Sequence, residues 1–313
     1  MRDGGLPFNT LYCGEDIPAV WDNWDIDYDQ SVKMKPVTGV VSCEIVSIGA
    51  LQLRVRVKKR FGAASLLTQD IVFYSDTPRI DFETTVDWNE KHTLLKAGFD
   101  VNVLSDTARF ETQFGNVKRP THENYGTDKT QFEVCCHKWA DLSDSRFGAA
   151  ILNDCKYGIS VRGSDMRLTL LKGGCRPDVR GDKGRHSFTY SLLIHNSAFS
   201  AVSVIRPAYE LNYPVMTAAG KTRLSALPLF TVDCDNVIIE TVKNAEDKDG
   251  VIVRLYEAEG THASARLACR GGFGKAFETD MLERESGELA ADGGAVTLKF
   301  RPFEIKTVKF TKP

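Results

Sequence analysis

The sequence has no long apolar run, no basic excess and no clustered metal-ligand motif. Crossing a bilayer with a helix takes ~20 consecutive apolar residues, and no stretch approaches that. A formal net charge of -2, with 40 Lys and Arg against 42 Asp and Glu, is the wrong balance for a nucleic-acid binder. The six histidines form no HxxxH or HExxH pair, and the eight cysteines form no CxxC pair. A metal site built within this chain is therefore not expected. Met1 to Pro7 contains no apolar h-region, so no secretory leader is read there. Scattered cysteines without such a leader suggest reduced thiols and a cytoplasmic setting. Gly271-Gly272-Phe273-Gly274-Lys275 is not a phosphate loop, because Lys275 precedes Ala276 and Cys269 stands where the first glycine belongs. It reads as a glycine-rich hairpin.

What is present has a period of two. Leu51 to Lys58 alternates apolar and polar residues without a fault, as a half-buried antiparallel strand does. Arg79 to Trp88 places Ile80, Phe82, Thr84, Val86 and Trp88 on one face. Further strands are expected at 40–47, 97–103, 131–136, 166–171, 188–194, 237–242, 252–257 and 297–303. Turn chemistry separates many of them, as at Gly173-Gly174, Asp249-Gly250 and Gly293-Gly294. No window carries the 3.6-residue period of an amphipathic helix, although short helical turns are expected near 138–144. The fold class is all-β. Pro214 to Lys221 reads as a linker, dividing a large double-sheet domain (1–214) from a small β-sandwich (229–313).

Two segments carry the richest chemistry. Trp21-Asp22-Asn23-Trp24-Asp25-Ile26-Asp27-Tyr28-Asp29 interleaves carboxylates with aromatic rings. Sugars present hydroxyls to the first and C–H faces to the second. Arg119-Pro120-Thr121-His122-Glu123-Asn124-Tyr125 gathers donors and acceptors in a loop that Pro120 keeps out of a helix. Taken alone, each is also what an acidic surface loop or a polar connector looks like.

Ordered pieces of the chain resemble the C-terminal region of family 38 α-mannosidases of the cytosolic, vacuolar and bacterial type. They are WDNWDID (21–27), RIDFETTVDWNEKHTLL (79–95), QFGNVKRPTHENYGTDKTQFEVCCHKWADL (113–142) and LNDCKYGISVRGSDMRLTLL (152–171). The stretches 184–190 and 302–307 continue the likeness. After Asn124 the family usually has Thr-Ser-Trp-Asp, whereas this chain has Tyr125-Gly126-Thr127-Asp128. The resemblance implies a galactose-mutarotase-like β-supersandwich followed by a small β-sandwich. It also implies hydrolysis of α-mannosides with retention, by two carboxyl groups about 5 Å apart, aided by a zinc ion that orients sugar hydroxyls.

In the family, the catalytic groups and zinc ligands belong to an N-terminal catalytic domain, and the likeness here starts inside the supersandwich. The chain itself is therefore expected to be inactive, with no cofactor of its own. Its partners would be that catalytic domain and mannosides, and a sheet face normally covered by the domain would be exposed and apolar. The resemblance implies that Trp24, Asp25, Asp27, Arg119, His122 and Asn124, then Asp154 and Arg162, line the sugar pocket. The Asp residues would accept from sugar hydroxyls, and Arg119 and His122 would donate or brace their loop. A free-standing carbohydrate-binding module and a homo-oligomerising sandwich are the competing readings.

Overall fold

The computed structural model describes residues 5–220, 228–270 and 272–312. Strands hold about 51% of the chain and helices about 7%, so the fold is all-β. Packing divides it into two compact units, one spanning most of 1–214 and the other 215–313 together with residues 113–116 and 200–202. No helix among the described residues is long and apolar enough to cross a membrane.

The first unit is built on two antiparallel sheets. The six-stranded sheet runs in the order Val134–Cys135, Gly158–Arg162, Asp165–Lys172, Thr93–Asp100, Thr10–Glu15, Lys35–Pro36. The nine-stranded sheet runs Val40–Ile48, Gln52–Phe61, Ser65–Tyr74, Arg79–Trp88, Gly184–His195, Gly148–Asn153, Trp139–Ser143, Thr107–Thr112, Gly115–Pro120. Leu95, Ala97, Phe99, Met166 and Leu168 from the first sheet share one core with Phe82, Val86, Trp88, Ile151 and Tyr190 from the second. Period-two alternation explains this sharing, since every second residue of each strand reaches the common interior.

Arg79–Trp88 has the orientation its alternation requires, with Phe82, Thr84, Val86 and Trp88 buried. The neighbouring strand Ser65–Tyr74 is not evident from periodicity, because Gln69 stands on its core face. The Gln69 amide donates to Thr84 Oγ1 (2.7 Å) and Tyr190 Oη (2.9 Å) and accepts from Asn9 Nδ2 (2.6 Å). These bonds satisfy a polar group that would otherwise be costly to bury. Gln52–Phe61 is half-buried from Gln52 to Lys59, then exposed at Arg60 and buried at Phe61. It lies beside the edge strand Val40–Ile48, where Val40, Val41, Ile45 and Ile48 are exposed.

The helical turns expected near 138–144 are a strand instead, Trp139–Ser143. It is flanked by strands on both sides, and Trp139, Ala140, Asp141 and Leu142 are all buried. Burial on both faces erases the alternation that identifies a strand. Other bounds move: the strand expected at 131–136 shrinks to Val134–Cys135, and that at 97–103 becomes Thr93–Asp100.

The second unit pairs a four-stranded sheet (Phe230–Val232, Ala263–Cys269, Ala295–Phe300, Ala291–Asp292) with a five-stranded one. The latter is ordered Val237–Asn244, Val251–Glu257, Ile305–Phe310, Ala276–Thr279, Glu285–Leu289. Val253, Leu255, Leu267, Leu298, Phe300 and Phe310 make its core. Part of the expected linker (residues 221–227) and Gly271 of the expected hairpin lie outside the described residues.

Candidate functional site

The segment after Thr10–Glu15 cannot continue as a strand, because Pro18 and the turn at 21–24 break it. Trp21 takes φ +54°, a left-handed conformation that costs a tryptophan about 1–2 kcal/mol. Its carbonyl then accepts the backbone N–H groups of Trp24 (2.8 Å) and Asp25 (2.9 Å). The loop is pinned from the side by the segment after Gly173. Asp22 Oδ2 accepts from the Cys175 N–H at 2.7 Å, and Asn23 Oδ1 from the Arg176 N–H at 3.2 Å. The result holds Trp21 and Trp24 edge to face, ring centroids 6.3 Å apart, although they are 65% and 68% exposed. Together with Pro18, Arg176 and Pro177 they border an open hollow of about 450 Å³. Large aromatic rings fixed in water by a strained, braced loop form a surface suited to stacking.

Of the carboxylates on this loop, Asp27 is committed to the loop itself, accepting the Ala19 N–H at 2.7 Å. Asp25, which follows Trp24, is half-exposed. The chain then enters the short helix Gln30–Lys33.

The second segment meets the first at Tyr28. Tyr28 Oη donates to Glu123 Oε2 at 2.8 Å, across 95 residues of sequence. Arg162 Nη2 lies 2.9 Å from Glu123 Oε1, and its guanidinium sits 5.0 Å from the centroid of the Tyr28 ring. Phe132 closes the group, edge-on to Tyr28 at 5.7 Å. Arg119 Nη1 donates to Gln131 Oε1 at 2.9 Å, and His122 Nδ1 lies 3.4 Å from Asp128 Oδ2. Asn124 is exposed at the loop tip.

The residues singled out from the sequence thus fall into three places. Trp24 lines the aromatic hollow, whereas Asp25 and Asp27 follow it on the same loop without lining it. Arg162 joins the Tyr28–Glu123 contact, whereas Arg119 bonds Gln131, His122 faces Asp128 and Asn124 is exposed. Asp154 belongs to neither: it follows the strand Gly148–Asn153 of the nine-stranded sheet and accepts the Thr189 N–H at 2.8 Å. Tyr28, Glu123 and Phe132 complete the cluster without having been singled out. The first two lie inside the segments flagged above, and only their meeting distinguishes them.

Zinc needs three or four converging His, Cys, Asp or Glu ligands. Among the described residues no group of three or more such side chains is disposed to hold a metal ion. The described residues do not fit the zinc that the resemblance implies for a complete enzyme.

A model described as "Glycosyl hydrolases family 38 C-terminal domain" matches residues 9–180, more than half of the chain. The chain belongs to glycosyl hydrolase family 38. A second model, "Glycosyl hydrolases family 38 C-terminal beta sandwich domain", matches residues 236–308. "Alpha-mannosidase 2C1" of Homo sapiens is 39% identical over 310 residues, covering 96% of this chain and 30% of that protein. The "Alpha-mannosidase" of Saccharomyces cerevisiae is 31% identical over 339 residues, covering 97% of this chain and 31% of the relative. This family 38 chain therefore spans only about 30% of the curated relatives it matches. The crystal structure of an alpha-mannosidase from Enterococcus faecalis V583 superposes with a TM-score of 0.79 over 97% of this chain and 38% of that one. At 16% identity that likeness speaks for the fold.

Proposed function

We propose that this chain serves as the C-terminal β portion of an α-mannosidase that hydrolyses α-linked mannosides with retention. In this reading it supplies scaffold and part of the wall of the sugar pocket. The nucleophile, the acid/base and the zinc ligands come from protein beyond these 313 residues. Residues 1–214 and 229–313 act as separate domains of that enzyme, which works in the cytoplasm. The observation that carries the reading is the likeness to alpha-mannosidases along 96% of the chain.

Two features support the division of labour. Glu123, the carboxylate at the centre of the loop cluster, already serves Tyr28 and Arg162, so it braces two loops rather than standing free for bond breaking. The edge strand Val40–Ile48 exposes apolar side chains on both faces, as a surface covered by further protein would. Trp24 would stack on a sugar face, Asp25 would accept from its hydroxyls, and Arg119, His122 and Asn124 would hold the facing loop.

A chimera tests this. The chain is joined to the N-terminal portion of the Homo sapiens relative in place of that enzyme's matched segment. It is expected to release nitrophenol from p-nitrophenyl α-mannoside. Alanine at Asp25 or His122 should then raise KM or lower kcat. A folded but inactive chimera, or unchanged kinetics in these variants, would overturn the proposal.

A further inference from the structure

The six-stranded sheet has a second face, turned away from the shared core, and its chemistry changes along its length. Leu94 and Tyr12 pack with Met34 at one end. Farther along, the alternation brings Lys96, Ser160, Arg162, Asp165 and Arg167 to the same face, because Leu95, Ile159, Val161, Met166 and Leu168 point into the core. Gly98 is required there: a Cβ would come 2.5 Å from the Tyr12 ring, on which the Arg167 guanidinium rests at 4.1 Å. The helix Gln30–Lys33 and Phe132 roof this face, leaving a cavity of about 270 Å³.

We infer that this cavity is a binding site for one neutral pyranose ring, formed by the chain's own residues. Three observations converge on that ligand. Every cation in the wall has its own carboxylate. Lys96 Nζ lies 2.5 Å from Glu133, Arg162 2.9 Å from Glu123, and Arg167 2.6 Å from Asp165. An anionic ligand would have to compete with acids already in place, whereas a polyol uses N–H donors and lone pairs that these pairings leave over. Second, Gln30 is only 4% exposed, and its Oε1 is buried without a hydrogen-bond partner among the described residues. Gln30 lines the cavity, and a buried acceptor left without a partner calls for a donor such as a sugar hydroxyl. Third, the volume is close to the lower end of ligand pockets and far above the ~30 Å³ share of one water, while Phe132 offers an apolar wall to ring carbons.

The inference takes from the proposed function only the choice of mannose as the first sugar to test. It can fail while the chimera works, and the reverse. Mannose is titrated into the purified chain by calorimetry, with mannose 6-phosphate in parallel. Saturable binding is expected at a dissociation constant on the order of a millimolar, with the phosphate weaker. Gln30→Leu keeps the volume and removes the acceptor; Arg162→Lys keeps the charge opposite Glu123 and removes the fork. Each should weaken binding about tenfold at unchanged melting temperature. The proposal is overturned by no saturable signal up to ~100 mM mannose, by tighter binding of the phosphate, or by wild-type affinity in Gln30→Leu. That last variant decides the matter even if Arg162→Lys fails to fold.

Discussion

Each unit hides an ionisable side chain almost completely, and the two are used in opposite ways. In the second unit Glu257 is 0% exposed and accepts from the backbone N–H groups of Glu259, Gly260, Thr261 and Phe303, with Asn236 and Thr261 side chains adding to them. Its charge is absorbed in tying the turn at 259–261 to the one before Ile305. In the first unit Lys96 is 1% exposed, is paired with Glu133, and borders a cavity also lined by Gln30, whose buried Oε1 has no hydrogen-bond partner among the described residues. A buried charge with all its bonds made is architecture. One beside space and an unmet acceptor is where a ligand belongs.

The comparison breaks most sharply at Glu257. Glu257→Ala strands at least four backbone donors and should cost roughly 4 kcal/mol, seen as an early unfolding transition of the second unit in denaturant. A loss under ~1 kcal/mol would mean that water serves those groups equally well. Lys96→Met leaves Glu133 without its cation and should cost about 3 kcal/mol. Lys96→Met combined with Glu133→Gln should recover much of that stability yet still impair mannose binding. No such compensation exists for Glu257, because four of its donors are main-chain N–H groups that no substitution removes.

Acid gives a smaller, signed effect. Burial pushes the Glu257 carboxyl up, but the N–H groups of Phe303, Glu259, Thr261 and Gly260 outweigh it and hold the group below its ordinary 4.5. Glu90 is likewise held low: burial again raises it, while the Ala63 and Ala64 N–H groups and the Ser65 hydroxyl lower it further. With folded values below unfolded ones, the stabilisation is complete above about pH 4.5 and is lost as pH falls through the lowered values. Denaturant midpoints should fall between pH 5 and pH 3, and Glu257→Gln should lessen that fall in the second unit. The smallest effect is expected at Trp24, where alanine should change stability by under ~0.5 kcal/mol while reducing kcat/KM of the chimera. A clear drop in melting temperature would make that ring structural.

How much of this was legible in the sequence depended on whether one face of a strand meets water. Arg79–Trp88 could be oriented residue by residue from its alternation. Trp139–Ser143 could not, being buried on both faces, and Ser65–Tyr74 was masked by Gln69, whose three partners come from distant parts of the chain. The site was legible in the same uneven way. The two loops stood out by composition, but the Tyr28–Glu123–Arg162 contact depends on tertiary packing across 95 residues. Asp154 drew attention through its motif, although it serves the backbone of a neighbouring strand. Lys96 gave no signal, since a lysine between Leu95 and Ala97 reads as an outward residue. Only the roof of Gln30 and Phe132 makes it an inward one.

In the proposed enzyme, the groups able to cleave a mannoside come from outside these residues. Incubating the purified, folded chain with p-nitrophenyl α-mannoside, with and without added zinc, tests that claim directly. No nitrophenol above the uncatalysed rate is expected in either case. Sustained turnover that follows the chain through purification would contradict it.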